Sequence, residues 1–486
     1  MLIELTPIGM LFGAAIVATL VLNPKQLIWI LSVAVPFSHT AMFVVGENGV
    51  SPFWATAVVA VGRLFYLLLH RAGGNGPRRA RRAGQVELSG ATVAILAFAA
   101  YGLFITIVGP ALFAGTPVIT PRGGLDSQIG NFTALTYTSS NFAQAAYLLV
   151  GVGLVAYIIL ERPPSRRILE AAIVTGIALT LFKHFFLQYW PQAWFDSNPS
   201  YYYHWIFDGA RERGPFAEPS LLGMFIGMSI AYLVSSSVAS SWGRRVFYGV
   251  LLVAAIYIYA ESYTGTALLS LGSTMLIAFV YVAVQVFIGQ GKRGRLIFFA
   301  VCLALLGLIL VAWQFIARYT IDLVIDKLGS ESFEKRNASN ANSWSVMLDS
   351  FGLGVGLGSD RPSSLFFLLL SSVGVIGIIL FLRGIGGYAL VGMRDPGRQP
   401  LVWAFLAQVI AMLVAKPDIS APAFWLILGL LGVGYNEFAR ERRNSRDQPW
   451  RARDAIGSLV SFIPDEIRSL RAPTASPTGE YTLGSR

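Results

Sequence analysis

Apolar runs of eighteen or more residues recur along almost the whole chain, separated by short polar connections. A run of that length is enough to cross the hydrocarbon core of a bilayer as an α-helix. The pattern therefore predicts an all-α, polytopic transmembrane helical bundle of about thirteen spans over residues 1–438. The predicted spans lie near 3–22, 26–45, 52–70, 91–113, 142–160, 168–187, 219–236, 246–261, 266–288, 297–317, 363–382, 401–416 and 421–438.

Arginine and lysine orient these spans. They concentrate in five connections, at 71–82, 162–167, 244–245, 292–295 and 383–398. With the predicted helix count all five fall on one side, which the positive-inside rule assigns to the cytoplasm. We therefore interpret the net charge of +11 as a determinant of topology. The expected partner of the basic residues is the lipid bilayer and not nucleic acid.

The opposite side receives three longer loops, near 114–141, 188–218 and 318–362, which are predicted to be periplasmic. Loops of this length are often functional. Residues 439–486 are polar and basic, and they predict a cytoplasmic, disordered tail. The first apolar run has no basic segment before it, so it predicts a retained helix of a multi-pass inner-membrane protein.

Composition agrees with this class and narrows the chemistry. Hydrophobic residues make up 55% of the chain, charged residues only 13%, and the mean hydropathy is +0.61. The single cysteine, Cys302, excludes an intrachain disulfide and a cysteine-based metal cluster. There is no phosphate-binding G-x-x-x-x-G-K-[ST] loop and no H-E-x-x-H zinc motif. The outer loops carry no convincing carboxylate cluster, so we expect neither a metal nor a cofactor.

The second outer loop ends in the sequence RERGPFAEPS, residues 211–220. Arg211 and Arg213 precede a glycine, and Glu218 stands before a proline that is suited to the first turn of a helix. A carboxylate at that position complements the positive end of the helix. The simpler interpretation, a helix-start glutamate beside two solvated arginines, remains open from these residues alone.

The third outer loop carries four glycines that alternate with apolar residues between 352 and 358. Glycine permits turns and close backbone approach. Asp360, Arg361 and a Pro-Ser-Ser sequence follow, and an arginine beside a helix N-terminus is suited to binding an anion. A flexible surface loop that leads into a membrane span is the alternative interpretation.

Taken together, three segments resemble the O-antigen polymerase and O-antigen ligase superfamily, in particular its exopolysaccharide-polymerase branch. They are SSNFAQAAYLL at 139–149, RERGPFAEPS at 211–220 and SWSVMLDSFGLGVGLGSDRPSS at 343–364. The resemblance implies a metal-independent glycosyltransferase that polymerises undecaprenyl-diphosphate-linked oligosaccharide repeat units on the periplasmic face of the bacterial inner membrane. It also implies a flippase and a chain-length regulator of the same pathway as partners.

Within that resemblance the leaving group is a lipid diphosphate, whose developing negative charge the planar guanidinium of arginine is suited to stabilise. Arg211 and Arg361 are the first candidates for binding this diphosphate. The further candidates are Arg213, Arg336 and Arg122.

The acceptor hydroxyl needs a general base within hydrogen-bond reach. Glu218 is the first candidate and His204 the second, although His204 could equally stack among the aromatic residues of its loop.

Two other functions stay open. An O-antigen ligase would share the leaving group, but it is expected to carry a functional histidine in the last large outer loop, and 318–362 contains none. A transporter or flippase of lipid-linked sugars should place ionisable residues near the middle of its spans. Lys183 and His184 lie instead near the outer end of their helix, which favours a polymerase with an interfacial active site.

Overall fold

The computed structural model describes residues 3–46, 48–73, 88, 90–119, 132–199, 211–238, 240–262, 264–289, 331–415 and 418–446. Several predictions lie outside these ranges. They concern most of the 71–90 connection, the span near 297–317, the tail beyond 446, and the two candidates His204 and Arg122.

Within the described ranges the chain is dominated by α-helices. In chain order they are α1 Pro7–Leu22, α2 Leu27–Ala34, α3 Pro52–Gly73, α4 Gly90–Leu112, α5 Ser139–Glu161, α6 Ser165–Phe185, α7 Gln192–Phe195, α8 Pro219–Val238, α9 Trp242–Ser262, α10 Gly265–Gly289, α11 Glu331–Asp349, α12 Leu365–Arg394, α13 Gln399–Ala415 and α14 Pro422–Arg446. Short 3-10 turns occupy Pro24–Gln26 and Leu187–Tyr189.

Eight of these helices are long and apolar enough to cross a membrane, namely α3, α4, α5, α6, α8, α9, α10 and α12. Two more, α1 and α13, are apolar but shorter. The predicted class, an all-α multi-pass membrane protein, is therefore confirmed, while the count of thirteen spans stays a prediction. At the centre, α8 packs against α9, α10 and α13, and α4 packs against α12.

The second predicted span, 26–45, is wrong. Helix α2 ends at Ala34, because Pro36 follows and a proline cannot donate a hydrogen bond to the preceding turn. The chain then forms strand β2, Phe43–Val45, which pairs antiparallel with β1, Ile3–Leu5, and β3, Asn48–Val50.

Two of the loops predicted to lie outside contain regular structure that the hydrophobic pattern did not predict. In the loop near 114–141, strand β4, Pro117–Ile119, pairs antiparallel with β5, Phe132–Ala134. In the loop near 318–362, residues 331–349 form the polar helix α11. Helix α11 packs against strand β4, so the structured parts of these two loops contact each other.

Helix α12 continues to Arg394, twelve residues beyond its predicted end at 382, and it is interrupted at Gly374, whose φ is 61°. The interruption frees the carbonyl groups of Ser371 and Ser372 from the helix ladder. The amides of Val355 and Gly356 donate to these carbonyls over 2.9 Å each. Buried backbone groups outside a regular helix need hydrogen-bond partners, and here the glycine-rich segment supplies them.

Four glycines of that segment, 352, 354, 356 and 358, all have positive φ, between 73° and 97°. A Cβ at Gly356 would lie 2.8 Å from the Cα of Thr106 in α4. The intervening Val355 and Leu357 are fully buried. The alternation predicted close backbone approach, and the packing confirms it, so this segment (352–358) is an ordered part of the core and not a flexible surface loop.

Several connections meet at one end of the bundle, which we call the loop end. It comprises 36–46, 113–119, 186–198, 211–218 and 350–364. Side-chain bonds link neighbouring connections there, as between His39 and Asp196 and between the amide of Ile119 and Asp360. At the opposite end, Arg63 of α3 forms an ion pair with Glu161 of α5 at 3.0 Å.

We expect Gly356→Ala to lower the free energy of unfolding by about 2–6 kcal/mol. A side chain at positive φ costs about 1–3 kcal/mol, and the overlap with Thr106 adds a similar amount. The matched control is Gly386→Ala in α12, where nothing lies within 4 Å of the added Cβ. Thermal unfolding of the purified variants in detergent measures both, and equal midpoints would contradict the packing described here.

Candidate functional site

The segment 211–218, which runs into the start of α8, is held by a buried ion pair. Arg213 is 1% exposed, and its guanidinium binds the carboxylate of Asp196 in a two-pronged arrangement. The Nη1–Oδ1 distance is 3.0 Å and the Nη2–Oδ2 distance is 2.9 Å. This planar geometry is specific to arginine and fixes both side chains.

Other connections complete this pair. The His39 Nδ1 atom lies 3.0 Å from Oδ1 of Asp196, and the indole N–H of Trp190 donates to Oδ2 at 3.2 Å. Arg213 also donates to the carbonyl of Phe216 at 3.0 Å. The buried pair therefore ties together three connections of the loop end, those that contain residues 39, 196 and 213.

The electrostatics of Asp196 follow from these contacts. Burial raises the pKa of its carboxyl, but hydrogen bonds from His39 and Arg213 and the positive charges of Arg213 and Lys183 outweigh burial. The pKa of Asp196 therefore lies well below its ordinary value of about 3.9. The stability that this ionised carboxylate contributes is fully present above about pH 4 and is lost as the pH falls further.

A buried lysine lies beside the pair. Lys183, at the end of α6, is 3% exposed; its Nζ donates to the carbonyl of Gly214 at 3.5 Å and lies 5.6 Å from the ring centre of Trp190. Gly214 has a φ of 55° and packs against Thr180 of α6. Segment 211–218 is thus anchored to α6 at Gly214.

The same segment carries a hydrogen-bonded chain of three side chains. His184 Nδ1 lies 3.1 Å from Glu212 Oε2, and His184 Nε2 lies 2.6 Å from the hydroxyl of Tyr257 in α9. The other carboxylate oxygen of Glu212 accepts the amides of Arg213 at 3.0 Å and Gly214 at 2.7 Å. Sequence reasoning placed His184 at the outer helix end but assigned it no role, since its two partners are 28 and 73 residues away.

The structure places Arg211 and Glu218 at the two ends of this segment, both half-buried. Helix α8 begins at Pro219, as predicted. The Glu218 carbonyl accepts the amides of Leu221 and Leu222, and its carboxylate accepts the hydroxyl of Ser220. Glu218 is therefore a helix-start residue by its contacts, with a carboxylate held at the helix N-terminus.

The second candidate region surrounds Asp360, which is 1% exposed. Its carboxylate accepts the amide of Ile119 at 3.2 Å and the hydroxyl of Ser343 on α11. Burial raises the pKa of Asp360 above its ordinary value. The neighbouring Arg361 is half-buried, and its amide donates to the carbonyl of Ile119 at 2.9 Å.

Two of the three segments that carry the family resemblance meet here. The side-chain amide of Asn141, in the segment 139–149, donates to the carbonyl of Leu357 and to the hydroxyl of Ser359, both at 2.8 Å. Both acceptors belong to the segment 343–364. Residues more than two hundred positions apart thus form one buried network.

The predicted arginines are divided between these two regions. Arg211 and Arg213 share one segment with Glu218, whereas the backbone of Arg361 binds β4 and, through Ser339 at 3.1 Å, α11. Arg336 lies on the exposed surface of α11. The convergence of Arg211 and Arg361 on one ligand stays a prediction. Among the described residues, no group of three or more histidine, cysteine, aspartate or glutamate side chains could hold a metal ion.

The chain has a partial similarity to a known protein. No protein-family model matches the chain. The chain is 33% identical over 97 residues to the photosystem I assembly protein Ycf4 of Synechococcus elongatus. The match covers 19% of this chain and 50% of that protein, so the chain spans about half the length of the curated relative it matches. This similarity is too short to define a family.

We expect Asp196→Asn to lower the free energy of unfolding by about 3–5 kcal/mol, because it leaves the buried guanidinium of Arg213 without its counter-charge. The single variants Asp196→Leu and Arg213→Met and the double variant that combines them form a cycle, in which the double variant should lose less than the sum of the two single losses, with a coupling of about 1–3 kcal/mol. The control is Asp395→Asn, which breaks a partly exposed pair with Arg398 and should cost less than about 1 kcal/mol. Chemical unfolding in detergent measures the cycle, and strictly additive losses would contradict the pairing.

Proposed function

We propose that this protein is a glycan polymerase of the bacterial inner membrane that joins undecaprenyl-diphosphate-linked oligosaccharide repeat units on the periplasmic face. One observation carries the proposal furthest. At the loop end, Arg211 and Arg361 are each half-buried, each lies on a segment held by a buried ionisable network, and each precedes a helix that starts within eight residues. A flippase and a chain-length regulator are its proposed pathway partners.

The chemistry suits that placement. Transfer of the glycan breaks the bond between the anomeric carbon and the carrier diphosphate, which departs with negative charge. Two guanidinium groups on rigid backbone stabilise such an anion without a metal, and the amides at a helix N-terminus add to the positive field. Rigid placement matters because reorganising the groups during the reaction would cost part of this stabilisation.

Arg213 takes a different part in this proposal from the one that its sequence position suggested. Its guanidinium donates to Asp196 and Phe216 in a buried setting, so we assign it a positioning role for Arg211 and Glu218. Arg336 is less suited to a transition-state contact than Arg361, because an exposed side chain on a helix surface is not held in one place.

We expect Arg211→Lys and Arg361→Lys to reach the membrane in normal amounts but to lose most of the polymer. An ammonium group cannot reproduce the two-pronged contact of a guanidinium with phosphate. The loss should correspond to about 2–4 kcal/mol of transition-state stabilisation. The control is Arg245→Lys, an exposed arginine at the start of α9 on the opposite end of the bundle. Polymer is measured in a deletion strain of the host that expresses each variant.

The same strain separates the competing functions. Deletion should cause single lipid-linked repeat units to accumulate, and the wild-type chain should restore long polymer. Accumulation of long, carrier-linked polymer would instead indicate a ligase. Accumulation of repeat units on the cytoplasmic face would indicate a flippase. Parental polymer levels in both lysine variants would show that these arginines do not bind the diphosphate.

The proposed orientation has its own test. In a Cys302→Ser background, Ser345→Cys on the exposed surface of α11 should react with a membrane-impermeant maleimide in intact spheroplasts. Ala83→Cys, in the arginine-rich connection, should react only after permeabilisation, because that connection is assigned to the cytoplasm. The reverse labelling pattern would show that the topology is inverted and that the loop end lies inside the cell.

A further inference from the structure

The hydrogen-bonded side chains of Glu212, His184 and Tyr257 hold the His184 ring in an orientation that suits a general base. We propose that His184 is the general base of the loop-end site, held by Glu212, and that it accepts the proton of the acceptor sugar hydroxyl; this rests on the proposed polymerase function. A base of this kind needs one ring nitrogen fixed by an acceptor and the other turned towards a hydroxyl. His184 meets both requirements, at 3.1 Å to Glu212 Oε2 and 2.6 Å to the Tyr257 hydroxyl.

The surroundings fix the ring in this orientation. The Glu212 carboxylate is 11% exposed and is itself held by two backbone amides, so it cannot swing away from the imidazole. It accepts the N–H at Nδ1 of His184, which leaves the lone pair at Nε2 as the acceptor. Phe185 and Tyr257 pack edge-on against the imidazole, with ring centres 4.9 and 5.3 Å away.

The position of the histidine fits a reacting group. Its side chain is 24% exposed, and Tyr257, which donates towards Nε2, is 37% exposed, so a hydroxyl from outside the bundle can reach this nitrogen. Arg211, the first candidate for the diphosphate, is the residue next to Glu212. The base and the leaving-group contact would then share one rigid segment, 211–218.

The step balances without a further reactant. The acceptor hydroxyl takes the place of the Tyr257 hydroxyl at Nε2 and attacks the anomeric carbon of the donor glycan. The new C–O bond forms as the bond from that carbon to the carrier phosphate breaks, and its electron pair leaves with the diphosphate. The proton moves to Nε2, and Glu212 stabilises the resulting imidazolium until the proton is released to water.

The charges around His184 set the expected pH dependence. Glu212 faces His184 from segment 211–218, and Tyr257 faces it from α9, with Glu261 near that tyrosine. Two basic residues are adjacent in the sequence, Arg211 next to Glu212 and Lys183 next to His184. A base must be unprotonated to accept the proton, so we expect the activity to rise with pH.

Full-length protein in lipid vesicles, supplied with a purified lipid-linked oligosaccharide, tests this between pH 5.5 and 8.5. We expect His184→Gln to lower kcat about 100-fold or more with little change in KM for the donor, and to abolish the rise with pH. Glu212→Gln should lower kcat less than His184→Gln does, because the imidazole remains but loses the carboxylate that stabilises the imidazolium. The control His70→Gln changes an exposed histidine at the other end of the bundle and should leave rate and profile unchanged.

The outcomes separate the two proposals. If the wild-type protein forms polymer and His184→Gln keeps its rate and pH profile, the assignment of the base is overturned while the polymerase function stands. A loss of rate with an unchanged pH midpoint, or a matching fall in the thermal midpoint, would show that His184 is only structural. If the wild-type protein forms no polymer, both proposals fail.

Discussion

The loop end of this protein is organised around the buried ion pair between Arg213 and Asp196. Burying two charges is costly unless they are paired and their remaining hydrogen-bonding groups are satisfied. Here the guanidinium binds both carboxylate oxygens, and His39, Trp190 and the carbonyl of Phe216 take the remaining contacts. Because these partners come from separate connections, the pair forms only when those connections are correctly placed.

The position of the neighbouring polar groups follows from this pair. With Arg213 buried, its backbone amide points at the carboxylate of Glu212, and that carboxylate then reaches His184. Arg211 and Glu218 stand at the two ends of the same segment. A cluster of exposed polar residues with no buried anchor would sample many arrangements, whereas this segment presents its side chains in one.

The region around Asp360 meets the same requirement in a different way. Backbone groups and charges that are buried in an apolar bundle must be paired. The break in α12 at Gly374 exposes carbonyl groups, and the glycine-rich segment supplies amides to them. Asp360 is buried there, and its carboxylate accepts a backbone amide and a serine hydroxyl. Its pKa is accordingly raised, whereas that of Asp196 is lowered. Both regions leave one half-buried arginine at the same end of the bundle, which is the arrangement that the proposed transfer chemistry requires.

The sequence by itself determined the features that depend on local composition. Runs of apolar residues predicted the helical membrane class, Pro219 predicted the start of α8, and the alternating glycines predicted close backbone approach. These follow from single residues or from neighbours along the chain, so no knowledge of distant partners was needed.

Only the tertiary structure decided which polar residues are buried and paired. The mainly apolar pattern of 26–45 predicted one span, yet α2 ends at Ala34 shortly before Pro36, and His39 beyond it binds another connection of the loop end. Arg213 read as a solvated or ligand-binding arginine, and His184 as a residue at a helix end. Their partners Asp196, Glu212 and Tyr257 lie between 17 and 73 residues away, and hydropathy and spacing carry no information about such distant pairings.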